Sequence, residues 1–266
     1  MKRIFMIGLG AVLAINCSLA QVSQERDVMP FKAIENRSSV DLIIYQGSSP
    51  RVVIETDEGV MDKVETWVEN GILLIELERC PVSIKTLKAY ITVAGLEKLH
   101  INGSGDCLTE TLLEVPHLEV KVNGSGDTHL NLNVEALDLR INGSGDVEVY
   151  GTALTTNIGI NGSGDVDFHS DAMAECTVKL TGSGDVELSG TVGNLTIKQV
   201  SSGDVDAGDL KSDVCSVEKT GSGDTSVWVD GDLSVSSSGS GDVYYKGQAS
   251  VKSISVTGSG EVHRIR

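Results

Sequence analysis

Carboxylates recur along this chain at a nearly fixed interval. They end the tetrad Gly-Ser-Gly-Asp, or a near copy of it, at Asp106, Asp127, Asp146, Asp165, Asp185, Asp204, Asp224 and Asp242, and with a conservative change at Glu261. Two residues further on stand Glu148, Asp167, Glu187 and Asp206. Serial oxygen ligands of this kind can hold a hard cation such as calcium. Calcium-binding β-rolls, however, repeat their Gly-Asp motif about every nine residues, whereas this chain supplies one tetrad acid per 18–21. The spacing favours a solvated acidic face on which Asp caps a turn. No metal or cofactor is expected.

Other chemistries fit less well. A phosphate-binding loop leads into a helix and carries Lys, but this loop leads into strand-like sequence and ends in an acid that repels phosphate. A serine-hydrolase elbow reads Gly-x-Ser-x-Gly, and here glycine flanks each serine directly. His100, His117, His129, His169 and His263 have no metal-ligand spacing and read as surface residues. Six residues before the acids, Lys121, Arg140, Lys179 and Lys198 form a partly basic column suited either to acidic glycans or to solubility. Exposed aromatic platforms for sugars are scarce; Trp228 and Tyr150 sit four residues after their acids. With coil lengths this even, there is little room for cleft-forming insertions, so the chain reads as a non-enzyme.

The elements that carry these side chains follow from the period. Successive tetrad acids are 21, 19, 19, 20, 19, 20, 18 and 19 residues apart, the mark of a solenoid in which each repeat is one coil. Apolar residues alternate with polar ones on both sides of the tetrad. One residue after the acid come Cys107, Thr128, Val147, Val166, Val186, Val205, Thr225, Val243 and Val262; seven before it come Leu99, Val120, Leu139, Ile158, Val178, Ile197, Val217, Val235 and Ile254. That is the period of half-buried strands. The reading is all-β: a right-handed parallel β-helix of about nine coils, with a strand, a glycine corner, a second strand and a return holding residues such as Gly151, Gly190 or Gly247. The corner glycines Gly105, Gly126, Gly145, Gly164, Gly184, Gly203, Gly223, Gly241 and Gly260 imply positive φ or close approach between coils. Stacked serine hydroxyls and a run of Asn102, Asn123, Asn142 and Asn161 are expected to bond along the stack.

The domain reading has three parts. Residues 1–20 form a secretory signal peptide, with Lys2 and Arg3, an apolar run over 4–15 and cleavage between Ala20 and Gln21. Acylation at Cys17 is the alternative, weakened by Asn16 in front of it. Residues 21–95 form a tail and a β cap continuous with the first coil, with strands at 40–45, 51–55, 72–77 and 88–93 and a short helical turn between 57 and 67. Residues 96–266 are the repeats, whose last coil ends without a capping sequence and can meet a partner. Loss of the signal leaves 19 Lys and Arg against 38 Asp and Glu, a net charge of −19, which argues against nucleic acid and anionic lipid as partners. Cys176 and Cys215 share an inward column with Leu195 between them, about 9.6 Å apart and beyond the bridging limit of about 7 Å. With Cys80 and Cys107 they are expected to be free, buried thiols.

The segments 31–34, 40–47, 51–57 and 70–76, followed by serial Gly-Ser-Gly-Asp, resemble the auto-transporter adhesin head, GIN-domain family of exported Gram-negative proteins. The resemblance spans essentially the whole mature chain and implies a right-handed parallel β-helix. The expected function is that of an exported, non-enzymatic, adhesin-like module in the periplasm, at the outer membrane or on the cell surface. A surface glycan or an envelope protein is the partner class in view. The alternatives are a carbohydrate-binding or glycan-active β-helix, calcium-dependent or not, and a purely structural envelope spacer.

Overall fold

The computed structural model describes residues 21–79 and 83–266. The signal peptide, the cleavage site at Ala20, Cys17 and Cys80 therefore lie outside the described residues. No α-helix occurs among those described; one 3-10 turn, Met61–Lys63, falls in the segment expected to turn.

Among the described residues, nineteen strands form one continuous sheet wound as a parallel β-solenoid of about nine turns. The N-terminal strands are β1 (Gln21–Arg26), β2 (Ala33–Asn36), β3 (Asp41–Gln46), β4 (Arg51–Asp57), β5 (Val64–Glu69), β6 (Ile72–Leu77) and β7 (Leu87–Val93). The first coil of the repeats holds β8 (Lys98–Ile101) and β9 (Cys107–Thr109). Above it stack β10 (Leu113–Val122), β11 (Thr128–Ile141), β12 (Val147–Gly162), β13 (Val166–Gly182), β14 (Val186–Ser201), β15 (Val205–Gly221) and β16 (Thr225–Gly239). The stack ends in β17 (Val243–Lys246), β18 (Ser250–Gly258) and β19 (Val262–Arg264).

Register follows the repeat. Val147 pairs with Val166, Val166 with Val186, Val186 with Val205 and Val205 with Thr225, so the column after the acid is continuous. Its members from Cys107 to Val243 are buried, and so are Leu99 to Val235 in the column seven residues before the acid. Burying such a Val, Leu or Ile is worth about 1.5–3 kcal/mol relative to exposure. The core they build is aliphatic, with Phe168 the largest fully buried side chain among the described residues. At the last coil the columns come out into solvent: Val251, Ile254 and Val256 are 43%, 45% and 40% exposed.

Three features refine the expectation. First, from β11 to β16 the strands on either side of the return, and the return itself, merge into one long strand running from each acid. Gly151 and Gly190 bend it, with φ of 136° and 114°. Register shifts near the returns absorb the variation in coil length, for example between Gly151 and Thr155 and between Ser170 and Met173.

Second, the N-terminal segment is not laid down in chain order. β2 lies between β6 and β8, and β3 between β7 and β9, all parallel. A coil formed by residues 33–46 is thus inserted beneath the first tetrad coil. β4 and β5 then add antiparallel to β7 and β6, and β1 adds antiparallel to β4.

Third, the glycine before each acid does not take positive φ; close approach alone explains it. A Cβ at any of these nine glycines would lie 1.9–2.3 Å from a carbonyl oxygen of the neighbouring coil.

Candidate functional site

The tetrad acids form a single ladder along one corner of the solenoid. The backbone N–H of each acid donates to Oδ1 of the acid one coil below: Asp127 to Asp106 at 3.0 Å, Asp146 to Asp127 at 3.2 Å, Asp165 to Asp146 at 2.9 Å and Asp185 to Asp165 at 2.7 Å. The ladder continues through Asp204, Asp224 and Asp242 to Glu261. At its lower end the N–H of Asp106 donates to Asp41. Asp41 was missed in the sequence because its corner, Ser38-Ser39-Val40-Asp41, contains no glycine. Main-chain bonds run in parallel, with Val147 N–H donating to the Asp165 carbonyl and Val166 N–H to that of Asp185, both at 2.9 Å.

Beside the ladder, Glu148, Asp167, Glu187 and Asp206 occupy the next outward column. Together with Asp146, Asp165, Asp185 and Asp204, and with Val147, Val166 and Val186, they line an open groove of about 410 Å³. Among the described residues no three His, Cys, Asp or Glu side chains converge closely enough to hold a metal ion. Asp242 is held below the usual carboxylate range, chiefly by the Glu261 N–H and next by the Tyr244 hydroxyl at 3.1 Å.

The other ladders are mixed. Asn142 Nδ2 donates to Asn123 Oδ1 at 2.8 Å and Asn123 Nδ2 to Asn102 Oδ1 at 2.6 Å. The run starts on Glu35, which accepts from Asn102 at 3.0 Å. The tetrad serines form no hydroxyl ladder among the described residues. Their backbone N–H groups carry the stacking instead, as from Ser163 to the Gly143 carbonyl at 3.1 Å.

The basic residues align as expected: Lys121 pairs in register with Arg140, Arg140 with Gly159, Gly159 with Lys179 and Lys179 with Lys198. Each of the five histidines has a carboxylate within 4 Å, among them His129 on Glu148 at 2.9 Å and His100 on Glu119 at 3.1 Å. Two ammonium groups approach the Trp228 ring, Lys246 at 4.9 Å and Lys211 at 5.9 Å from its centre. Tyr150, 48% exposed, tilts against His169.

Comparison with known proteins places this geometry. The family described as "Putative auto-transporter adhesin, head GIN domain" matches residues 30–188 and again 155–249. A "putative adhesin" from Parabacteroides distasonis is 23% identical with a TM-score of 0.68, over 93% of this chain and 98% of its own. A "putative adhesin" from Parabacteroides merdae is 20% identical with a TM-score of 0.66, over 92% and 96%. A "putative lipid binding protein" from Parabacteroides distasonis is 23% identical with a TM-score of 0.66, over 92% and 97%. At these identities the likeness is one of fold. No curated protein matches the sequence.

Proposed function

Because the chain belongs to the auto-transporter adhesin head, GIN-domain family, we propose that it is an exported, non-enzymatic module that binds a surface glycan or an envelope protein through the sides of its solenoid. The observation that carries this reading is the periodicity of those sides. Acidic, amide and basic side chains stand in separate columns, repeated at the inter-strand distance of about 4.8 Å. A surface with one repeating dimension suits a repeating or extended ligand better than a small molecule held in a pocket. The names of the two adhesin-like neighbours point the same way.

Two measurements test the proposal. Cell fractionation followed by immunoblotting should find the protein outside the cytoplasm. The purified exported protein, screened against glycan and envelope-protein panels, should show saturable binding without product formation. Turnover of a glycan would make it a glycan-active enzyme, and absence of binding across both panels would leave a structural spacer.

A further inference from the structure

Within the basic column one position carries no side chain. The column reads Lys121, Arg140, Gly159, Lys179, Lys198 in adjacent coils. Its outer cations are committed, Lys121 to Glu119 and Lys198 to Glu218. Neither Arg140 nor Lys179, the two that flank the glycine, belongs to an ion pair among the described residues, and both are exposed. Between them is a shallow notch of about 390 Å³ bounded by Asn142, Asn161 and Thr181, next to a second depression of about 230 Å³ on the side of Asn157 and Thr177.

Gly159 is not required by the fold. Its neighbours in sequence, Gly151 and Gly164, would put a Cβ at 1.8 Å and 2.2 Å from a carbonyl oxygen of the coil below. At Gly159 a Cβ would meet nothing closer than 3.9 Å, from Arg140 Cγ and the Leu139 carbonyl, and φ is not positive. Glycine in the interior of a strand weakens it and often marks a bulge, a bend, or close approach by a ligand or another backbone. At Gly159 the pairing is regular, and no other strand's backbone comes closer than 3.9 Å to the Cβ position. Here its effect is to open a gap between two unpaired cations two coils apart, about 9.6 Å.

We infer that the Gly159 notch is a subsite for the anionic group, carboxylate or sulfate, of an acidic polysaccharide. Arg140 and Lys179 supply charge from the two sides, and Arg can take a carboxylate or sulfate through two parallel N–H donors. The asparagine and threonine side chains around the notch offer donors and acceptors to sugar hydroxyls. Asp138 adjoins the second depression but is already engaged, accepting from Asn157 at 3.1 Å and facing His117 at 3.8 Å. The acid ladder stands four residues further along each coil, at Asp146, Asp165 and Asp185 after Asn142, Asn161 and Thr181. At ionic strength near 0.15 M, where the screening length is about 8 Å, its repulsion of a polyanion fades faster than a direct contact does. The inference rests on the reading that the solenoid binds through its sides.

The test measures binding of polygalacturonate, dextran sulfate and neutral dextran to the purified exported protein at about 0.15 M salt. Three proteins are compared: wild type, Gly159→Thr, and the double variant Arg140→Gln/Lys179→Gln. Wild type should bind the acidic polymers and not dextran. Both variants should lose about tenfold or more in affinity, the worth of one charge-assisted contact. Melting temperatures should stay unchanged, or rise for Gly159→Thr; the double variant, altered only at exposed side chains, carries the test should Gly159→Thr fold poorly. Wild type that binds neither acidic polymer, or variants that bind as wild type does, would overturn the notch. Saturable binding of neutral glycans or envelope proteins, untouched by the variants, would overturn the notch while leaving lateral binding standing. Binding to nothing in either panel would overturn both.

Discussion

The backbone N–H of Asp165 donates to Oδ1 of Asp146, one coil below, at 2.9 Å. Nine such bonds, from Asp41 up to Glu261, make each acid the acceptor for the next coil. Two carboxylates about 4.8 Å apart repel by roughly 1 kcal/mol in bulk water and more where water is scarcer. A hydrogen bond to a charged group contributes about 1.5–3 kcal/mol, so the bond can outweigh the repulsion that stacking creates.

If the bond is the whole role of the acid, charge is dispensable and the acceptor is not. Asp165→Asn should be nearly neutral, within about 0.5 kcal/mol, because an amide oxygen still accepts from Asp185 N–H. Asp165→Ala should cost about 1–2 kcal/mol by stranding that donor. Urea unfolding of the three proteins checks both values. In the same series millimolar calcium should raise the melting temperature no more than magnesium does. A rise specific to calcium that Asp165→Asn abolishes would make the groove beside the ladder a cation site.

Gly164→Val tests the corner. Its Cβ would sit 2.2 Å from the Gly145 carbonyl oxygen and 3.3 Å from Ile141, and the coil below cannot retreat without breaking its own ladder. A loss of more than about 3 kcal/mol is expected, beyond ordinary overpacking. Ser163→Ala, at an exposed side chain whose backbone bond to Gly143 survives, should stay within about 0.5 kcal/mol. Equal melting temperatures for wild type and the valine variant would refute close packing at the corner.

These corners also explain which parts of the fold could be read in advance. Each tetrad carries its own turn chemistry, so the register from Cys107 to Val243 is written locally and repeated. The order of β6, β2 and β8 is not local. Ala33–Asn36 is four residues long, and nothing in so short a segment names its neighbours; only three-dimensional packing puts it between two later strands. Asp41 escaped for a related reason, since a corner without glycine does not look like a corner. The basic column was visible, but the room that Gly159 leaves within it shows only when the space around its Cα is compared with that at Gly151 and Gly164.

Lys219 is another position that alignment on the acid alone left unremarked. Five residues before each acid, Ile101, Val122, Ile141, Ile160 and Leu180 are buried, and the column continues with Gln199 and Lys219. Gln199 is satisfied by the Gly203 carbonyl at 2.6 Å and the Thr225 hydroxyl at 2.5 Å. Lys219 is only 3% exposed and donates to the Gly223 carbonyl. Burial pulls its pKa below the ordinary lysine value, opposed by Asp224, Asp204 and Asp242. Lys219→Met keeps the stem and removes the desolvated charge, so it should be neutral to stabilising, by up to about 4 kcal/mol. The unfolded chain holds this proton up to about pH 10.5 and the folded chain releases it earlier. Wild-type stability therefore rises with pH across that window and the advantage of methionine shrinks. A methionine variant less stable than wild type at pH 7 would show that the ammonium fastens the corner.

The thiols give the last prediction. Cys176 and Cys215 lie in one column with Leu195 between them in register. Both are free and buried, as is Cys107. Desolvation pushes all three up to about 12, with Asp106 adding to the effect at Cys107. The thiolate is the reactive form, so iodoacetamide at pH 8 should leave these three unlabelled in the native protein and label them fully in denaturant. The same shifts set a sign. Unfolded, each thiol ionises from about pH 9, while folded it keeps its proton to about 12. The folded state then binds more protons, and stability is full below pH 9 and falls as pH climbs from 9 to 12. Replacing all three by Ala or Val should flatten that decline. Rapid native labelling of Cys176 or Cys215, or a bridge between them found by mass spectrometry of the alkylated protein, would show that the column is not packed in this register.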